Sequence, residues 1–405
     1  MVSAMDARLD LMSLPERPAF LEDLPGPFWE RMPAASGPAA MRMEGGVLLT
    51  SFRSCRAVLM NPALKKANIA ILESMPGVDP AFVERRRRAI LDMEGQDHLR
   101  LRRLAMPALS PAASNTYRQY MRDIMNGLID RAGDGYCEAG AALCRPYPVP
   151  VICAVLGVPG KDVAFFTRCA ADWTRWIREG PAGVPAALVA HAEMDDYLTQ
   201  LVARRREHPG TDLITDLIRC EEEGDRLTSG EIINLVAGLV VAGTDTTRMA
   251  LGSALYLFAR HPEQWQALGH DLGLAPAAAE EVLRFAPVSA LLRRIATEDL
   301  ELEGMLLPEG STVFISPGTA NRDPELFPDP DSFSIHRSSA RRHMTFGAGR
   351  KHCLGAHLAR AELEEALAVL AQRLPGLSLA GDVGWAPDRS LLQGAVTIPV
   401  RWRRG

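Results

Sequence analysis

The stretch Phe346-Gly347-Ala348-Gly349-Arg350-Lys351-His352-Cys353-Leu354-Gly355 decides how the rest of the chain is read. Its glycines permit a tight loop that other backbone can approach closely. Behind it, Leu363, Leu367, Leu370 and Leu374 fall on one stripe of an expected helix that reaches about Leu374. Cys353 therefore stands at the entrance of a helix, with Arg350, Lys351 and His352 beside it. Cationic neighbours and free N–H groups at a helix N-terminus both favour thiolate over thiol.

A thiolate in that position has three uses. As a nucleophile it needs an oriented base, and His352 and His357, on a turn and its helix, are poorly placed to reach one substrate together. As a zinc ligand it needs partners at matched spacing, and the neighbourhood offers only Cys353, His352 and His357. As the axial ligand of a haem it needs no second cysteine. Gly347-x-Gly349 does not complete a dinucleotide fingerprint, because His352 occupies the third glycine position. The other six cysteines form no Cys-x-x-Cys pair and support neither a disulfide framework nor a structural zinc site.

Upstream, Thr228 with Glu231 three residues later makes a capping box, and Pro262 closes the segment after about Arg260. A helix of that length spans about 50 Å. Its middle, Val236 to Gly243, is apolar on every face, which marks a helix buried all round. Ala242-Gly243-Thr244-Asp245-Thr246-Thr247 then sets a carboxylate and hydroxyls where the pattern predicts core. Taken alone, Thr246 bonds back to the carbonyl of Ala242 and Asp245 joins a core ion pair. A third helix begins near Pro276, where Glu281 and Arg284 share a face and by spacing alone read as a surface ion pair.

The chain has 405 residues, 47% of them hydrophobic, enough for a large core. No repeat or linker divides it, so one domain over 1–405 is expected. Short strand patterns at Val47 to Ser51, Leu300 to Ser316 and Ala395 to Trp402 predict a mainly α fold with small peripheral β-sheets. The Pro308-Glu309-Gly310 turn in the second cluster suggests hairpins. Against 45 basic residues stand 50 acidic ones, a net charge of −5 with no long basic tract, so no nucleic-acid partner is expected. The apolar run Leu235 to Gly243 is too short for a membrane span, and Met1 to Asp10 lacks a signal-peptide pattern, so a cytoplasmic protein is expected.

These segments together resemble the cytochrome P-450 haem-thiolate monooxygenases. Phe346, Gly349, Cys353 and Gly355, continuing through Leu358-Ala359-Arg360, match that family's haem-binding signature. Ala242 to Thr247 looks like its oxygen-activation motif on a long central helix over the haem, and Glu281 and Arg284 match its Glu-x-x-Arg motif. Asn321-Arg322-Asp323-Pro324 and Phe333 to Arg337 resemble the connecting segments. Asp97 to Arg102 is similar to the helix whose His and Arg, here His98 and Arg102, hold a haem propionate.

The resemblance implies haem b, with Cys353 on the iron, Phe346, Gly347, Gly355 and Ala242 lining the site, and His98, Arg102 and Arg294 as propionate partners. Arg293 rivals Arg294, since strand alternation decides which points inward. Lys351 departs from the family's usual Arg or His two residues before the cysteine. It supplies charge without a planar fork. Glu281, Arg284 and Arg337 are implied as an internal ion-pair cluster, and Asp245 and Thr246 as the groups that handle protons.

The implied reaction inserts one atom of dioxygen into an apolar small molecule by hydroxylation or epoxidation. Electrons come from a ferredoxin and its NAD(P)H-dependent reductase, since the chain carries no flavin or iron–sulfur signature. Arg337, Arg341, Arg342, Arg350, Lys351 and Arg360 lie in a stretch without acids, Ser332 to Ala361, and could form the ferredoxin surface or turn inward to carboxylates. The substrate pocket is expected between Lys66 and Arg88, around Phe165 to Val189, at Val288 to Leu292 and near Leu391 and Leu392, with Trp173 and Trp176 adding bulk. Arg85-Arg86-Arg87-Arg88 reads as a solvated face. A peroxide-driven or oxidative-coupling haem enzyme and a noncatalytic haem sensor are the competing readings.

Overall fold

The computed structural model describes Pro27, Trp29 and residues 40–43, 46–222, 227–386 and 392–403. Its axis is the helix Ser229–Arg260, 32 residues long. Thr228 accepts from the Glu231 N–H while the Glu231 carboxylate accepts from the Thr228 N–H, so two orphan donors are satisfied at its start. At its end the His261 N–H returns to the Phe258 carbonyl, and Pro262 opens the next helix. Residues Leu235 to Val241 are buried without interruption, as a helix apolar on all faces requires.

The helices Pro148–Leu156, Val163–Trp173, Val184–Glu207, Ala275–Phe285 and Ala356–Arg373 all pack against this axis. One hydrophobic cluster runs through all of them, from Trp29 to Val400 in sequence. Ala356–Arg373 also covers Arg118–Ala132, burying Leu363, Leu367 and Leu370.

The sheets are peripheral. Five strands pair in the order Ala40–Met43, Gly46–Leu49, Thr312–Ile315, Leu292–Ala296, Leu64–Lys66. Only Gly46–Leu49 and Thr312–Ile315 run parallel; the other pairs are antiparallel, and Lys66 faces Arg294 across the last of them. The strand pattern over 300–316 divides differently from the expected hairpins. Leu300–Leu302 and Met305–Leu307 close a hairpin over Glu303 and Gly304, both at positive φ, but Thr312–Ile315 leaves for the five-stranded sheet. The Pro308-Glu309-Gly310 turn therefore links two sheets, a partnership set by long-range packing of Val313 and Ile315. Among the described residues no helix is long and apolar enough to cross a membrane.

Candidate active site

The Cys353 loop is built by its own backbone. The Cys353 N–H donates to the Phe346 carbonyl at 2.8 Å, the Gly347 N–H to Met344 at 2.8 Å and the His352 N–H to Gly349 at 3.1 Å. Gly349 sits at φ +66°, and a Cβ there would lie 2.7 Å from the Leu59 carbonyl oxygen. Only glycine fits that approach. Phe346 is clamped under the Arg360 guanidinium, 4.5 Å above its ring, and Arg360 itself is held by Glu280 at 2.7 Å. The following helix starts at Ala356 with Gly355 as its N-cap, so Cys353 lies just ahead of it.

Cys353 retains accessible surface, yet burial pushes its thiol above the ordinary range. The Gly355 N–H and the charges of Arg102, Arg360 and Lys66 pull the thiol back down. The sequence neighbours Arg350 and Lys351 are not its stabilisers. Arg350 is exposed, and Lys351 turns its ammonium to the Met93 carbonyl and to Glu94, 3.4 Å away.

Near the Cys353 loop the fold gathers basic side chains from four elements. His98 and Arg102 lie one turn apart on the helix Gly95–Ala105, Arg294 on Leu292–Ala296, Lys66 on Leu64–Lys66 and Lys351 on the turn Gly349–Lys351. Burial, then the Lys351 charge, pushes His98 down to about 4, so its ring is neutral at pH 7. Burial lowers Lys66 to about 8, with Asp92 opposing and Lys351 and Arg294 adding to the shift. Arg293 points elsewhere, over the Phe314 ring.

The available carboxylates do not balance this charge. Asp92 is ion-paired with Arg86, leaving Glu94 to face Lys351. Among the described residues no carboxylate forms an ion pair with Arg102 or Arg294. A desolvated cluster with surplus positive charge is matched by a dianionic group.

The central helix breaks its apolar pattern at Ala242, Gly243, Asp245 and Thr246, all partly accessible between buried neighbours. Thr246 Oγ1 donates to the Ala242 carbonyl at 2.9 Å, which leaves its oxygen lone pairs free to accept. Asp245 Oδ1 lies 3.0 Å from Arg248 Nη2. Behind them Thr247 Oγ1 donates to the fully buried Glu362 carboxyl at 3.4 Å, and burial raises that carboxyl well above its usual range.

Comparison with known proteins locates this arrangement. The family model described as Cytochrome P-450 matches residues 186–375. Pentalenic acid synthase of Streptomyces avermitilis is 36% identical over 361 residues, 88% of each chain. Mycinamicin IV hydroxylase/epoxidase of Micromonospora griseorubida is 35% identical over 373 residues, covering 89% of this chain and 90% of the relative. The crystal structure of CalO2 superposes with a TM-score of 0.84 at 28% identity, over 91% of this chain and 94% of that one. The chain belongs to the cytochrome P-450 family.

It is a P-450 monooxygenase of the bacterial type, an oxidoreductase whose family uses a haem-thiolate cofactor. The accessible cysteine and the unbalanced cations fit such a group, which brings two propionates. In this P-450, Glu281 and Arg284 are not the surface pair that spacing suggests. Both are fully buried, with a twofold contact at 2.8 Å, and Arg337 joins Glu281 at 3.2 Å. The remaining Arg284 donors reach the Asn321, Pro330 and Ser332 carbonyls, so the segment leading to the Cys353 loop is fastened to Ala275–Phe285.

Arg337, Lys351 and Arg360 turn inward, which leaves Arg341, Arg342 and Arg350 exposed on the basic stretch. Arg85 and Arg86 likewise turn inward, to Asp195 and Asp92, while Arg87 and Arg88 pair with Glu73 and Glu84 at the surface. Lys66 and Glu362 escape a reading by motif. Glu362 left one signal, a carboxylate on the apolar stripe between Leu358 and Ala366. Leu391, named for the substrate pocket, lies outside the described residues.

Proposed function

We propose that this P-450 holds haem b with the Cys353 thiolate as axial ligand and inserts one atom of dioxygen into an apolar small molecule, as a single unit over 1–405. The reading is carried by the accessible yet desolvated Cys353 sulfur, its N–H fixed by the Phe346 carbonyl. Phe346, Gly347 and Gly355 shape the loop under the haem, and Ala242 offers a small surface on the central helix. His98, Arg102, Arg294 and Lys351 hold the propionates, and Lys66 adds charge beside them.

When bound, the haem supplies the dioxygen chemistry, with the anionic sulfur favouring O–O cleavage. The chain's own work is to move protons and exclude water. Thr246 Oγ1 spends its hydrogen on the Ala242 carbonyl and offers its lone pairs to a proton-bearing partner in the pocket. Asp245 takes up a proton from solvent when it swings from Arg248 and returns it inward. The apolar walls keep other proton donors away.

Electrons arrive from a ferredoxin served by an NAD(P)H-dependent reductase. Arg341, Arg342 and Arg350, in a chain of net charge −5, give an acidic ferredoxin a local positive target. The test is turnover of purified holoprotein with ferredoxin, reductase and NADH under labelled dioxygen. One labelled oxygen atom in the product supports the reading. Label only in water or peroxide contradicts it.

A further inference from the structure

The segments packed above the central helix carry hydrogen-bond donors that no described residue accepts. Helices Pro80–Arg87, Val163–Trp173, Arg175–Glu179 and Val184–Glu207 meet around Phe82. The Trp173 and His191 rings lie 3.7 Å apart, and Phe82 stands 5.6 Å from Trp176 and 6.3 Å from His191. The Arg86 guanidinium lies 5.2 Å over the Trp176 ring. Trp173, His191 and Arg86 are 1%, 3% and 6% exposed. Within this one cluster Trp173 Nε1, Trp176 Nε1, His191 Nε2 and Arg86 Nε are all buried without a hydrogen-bond partner among the described residues.

The tautomer of His191 makes the four atoms chemically alike. Arg85 Nε donates to His191 Nδ1 at 3.1 Å, while its terminal nitrogens grip Asp195 at 2.7 and 2.5 Å. A guanidinium cannot accept, so Nδ1 is the accepting nitrogen and the ring proton sits on Nε2. The ring is neutral, since burial and the charges of Arg85 and Arg86 push it down to about 3. All four of these atoms are therefore N–H donors, and the acceptor Asp92 Oδ2 faces Arg86 Nη2. Leu72, Phe82, Val184 and Ala187 give the cluster apolar walls, while the nearby carboxylates of Asp92 and Asp195 are engaged by the terminal nitrogens of Arg86 and Arg85. A buried donor without a partner is costly, so four together mark a place kept for something other than packing.

We propose that Trp173, Trp176, His191 and Arg86 form a substrate-recognition subsite for an acceptor-rich oxygen group, a carboxylate or carbonyl, on an otherwise apolar substrate. This rests on the monooxygenase reading and narrows its substrate class. Asp92 already balances the Arg86 charge, so a neutral carbonyl satisfies the donors as a carboxylate does.

The test is a Soret difference titration of the ferric holoprotein with matched probes. Decanoate, decanamide and methyl decanoate are compared with 1-chlorodecane, and cyclohexanebutanoate with butylcyclohexane. The carbonyl-bearing probes are expected to bind at least tenfold tighter than their matched partners. Trp173→Phe and His191→Phe should each close that gap at least fivefold and leave the partners' affinities unchanged, while the exposed Arg88→Gln alters neither. Equal binding within pairs, binding by no carbonyl probe, or a gap that survives both substitutions overturns the subsite. Should a variant fail to fold, the comparison on the wild-type protein decides alone. A thiolate-type ferrous carbonyl spectrum in the same preparation shows that the haem reading stands even when the subsite fails, and its loss in the wild type sinks that reading instead. Decanoate binding above decanamide assigns the group as anionic; equal binding assigns it as neutral.

Discussion

Arg248 Nη2 lies 3.0 Å from Asp245 Oδ1, one turn further along the same helix. The pair is held within one element, so it opens by side-chain rotation alone and needs no helix to move. Among the described residues Arg248 Nε is buried without a hydrogen-bond partner, which leaves the guanidinium anchored mainly through this contact. In the proposed proton relay, Asp245 is thus restrained near the pocket by a contact within its own helix.

Asp245→Asn keeps the shape and removes the exchangeable carboxyl proton. Product formation with saturating ferredoxin should fall by roughly 10²-fold or more, the lower end of what positioned proton transfer contributes. The substrate-induced Soret shift should persist. Thr246→Ala should keep NADH consumption while peroxide replaces product. Coupled oxygenation that survives Thr246→Ala would favour a peroxide-driven enzyme.

The Glu281–Arg284 pair is buried at 0% side-chain exposure on both sides. Removing one partner strands a charge, a loss of about 3–5 kcal/mol. Arg284→Lys lacks the fork that serves Glu281 and three backbone carbonyls. Arg284→Lys and Glu281→Gln should therefore both lower the melting temperature and hasten haem loss to a scavenger protein. Melting within 1 °C of the wild type would contradict the buried cluster.

Burial, then Arg85 and Arg86, depresses His191 to about 3, while the unfolded chain titrates near 6.5. Between these values the unfolded state binds more protons, so stability rises with pH and is lost as pH falls from about 6.5 towards 3. The slope is up to about 1.4 kcal/mol per pH unit. His191→Phe should flatten the acid limb of the melting temperature against pH. Parallel limbs for variant and wild type would show that His191 is not the group responsible.

Arg341, Arg342 and Arg350 predict an ionic-strength effect on electron delivery. Ferredoxin reduction of the ferric protein should slow between about 0.01 and 0.15 M salt, where the screening length shrinks from roughly 30 to 8 Å. The double substitution R341E/R350E should slow it at low salt and flatten the dependence. Rates independent of salt would remove these residues from the docking surface.

What could be read from the sequence follows how local each signal is. The central helix was legible because its capping box, apolar middle and closing proline lie within one segment. The Cys353 loop was legible because its glycines and cysteine are contiguous. The charges that stabilise the Cys353 sulfur were not, since Arg102, Arg360 and Lys66 arrive from three distant elements while adjacent Arg350 points away. Leu64–Lys66 shows no alternating pattern, and only its pairing with Leu292–Ala296 turns Lys66 toward Arg294. The inward turn of Arg85 and Arg86 depends on Asp195 and Asp92, which no local spacing reveals. The burial of Glu281 and Arg284 depends on Asn321, Pro330 and Ser332 closing over a pair whose spacing alone was visible.

The most direct measurement of the central claim is the absorption spectrum of the reduced holoprotein under carbon monoxide, with Cys353→His alongside. A Soret band at the red-shifted thiolate position, lost in the variant with haem still bound, is the result predicted. A histidine-type band in the wild type, or a colourless protein after haem supplementation, would contradict Cys353 as the axial ligand.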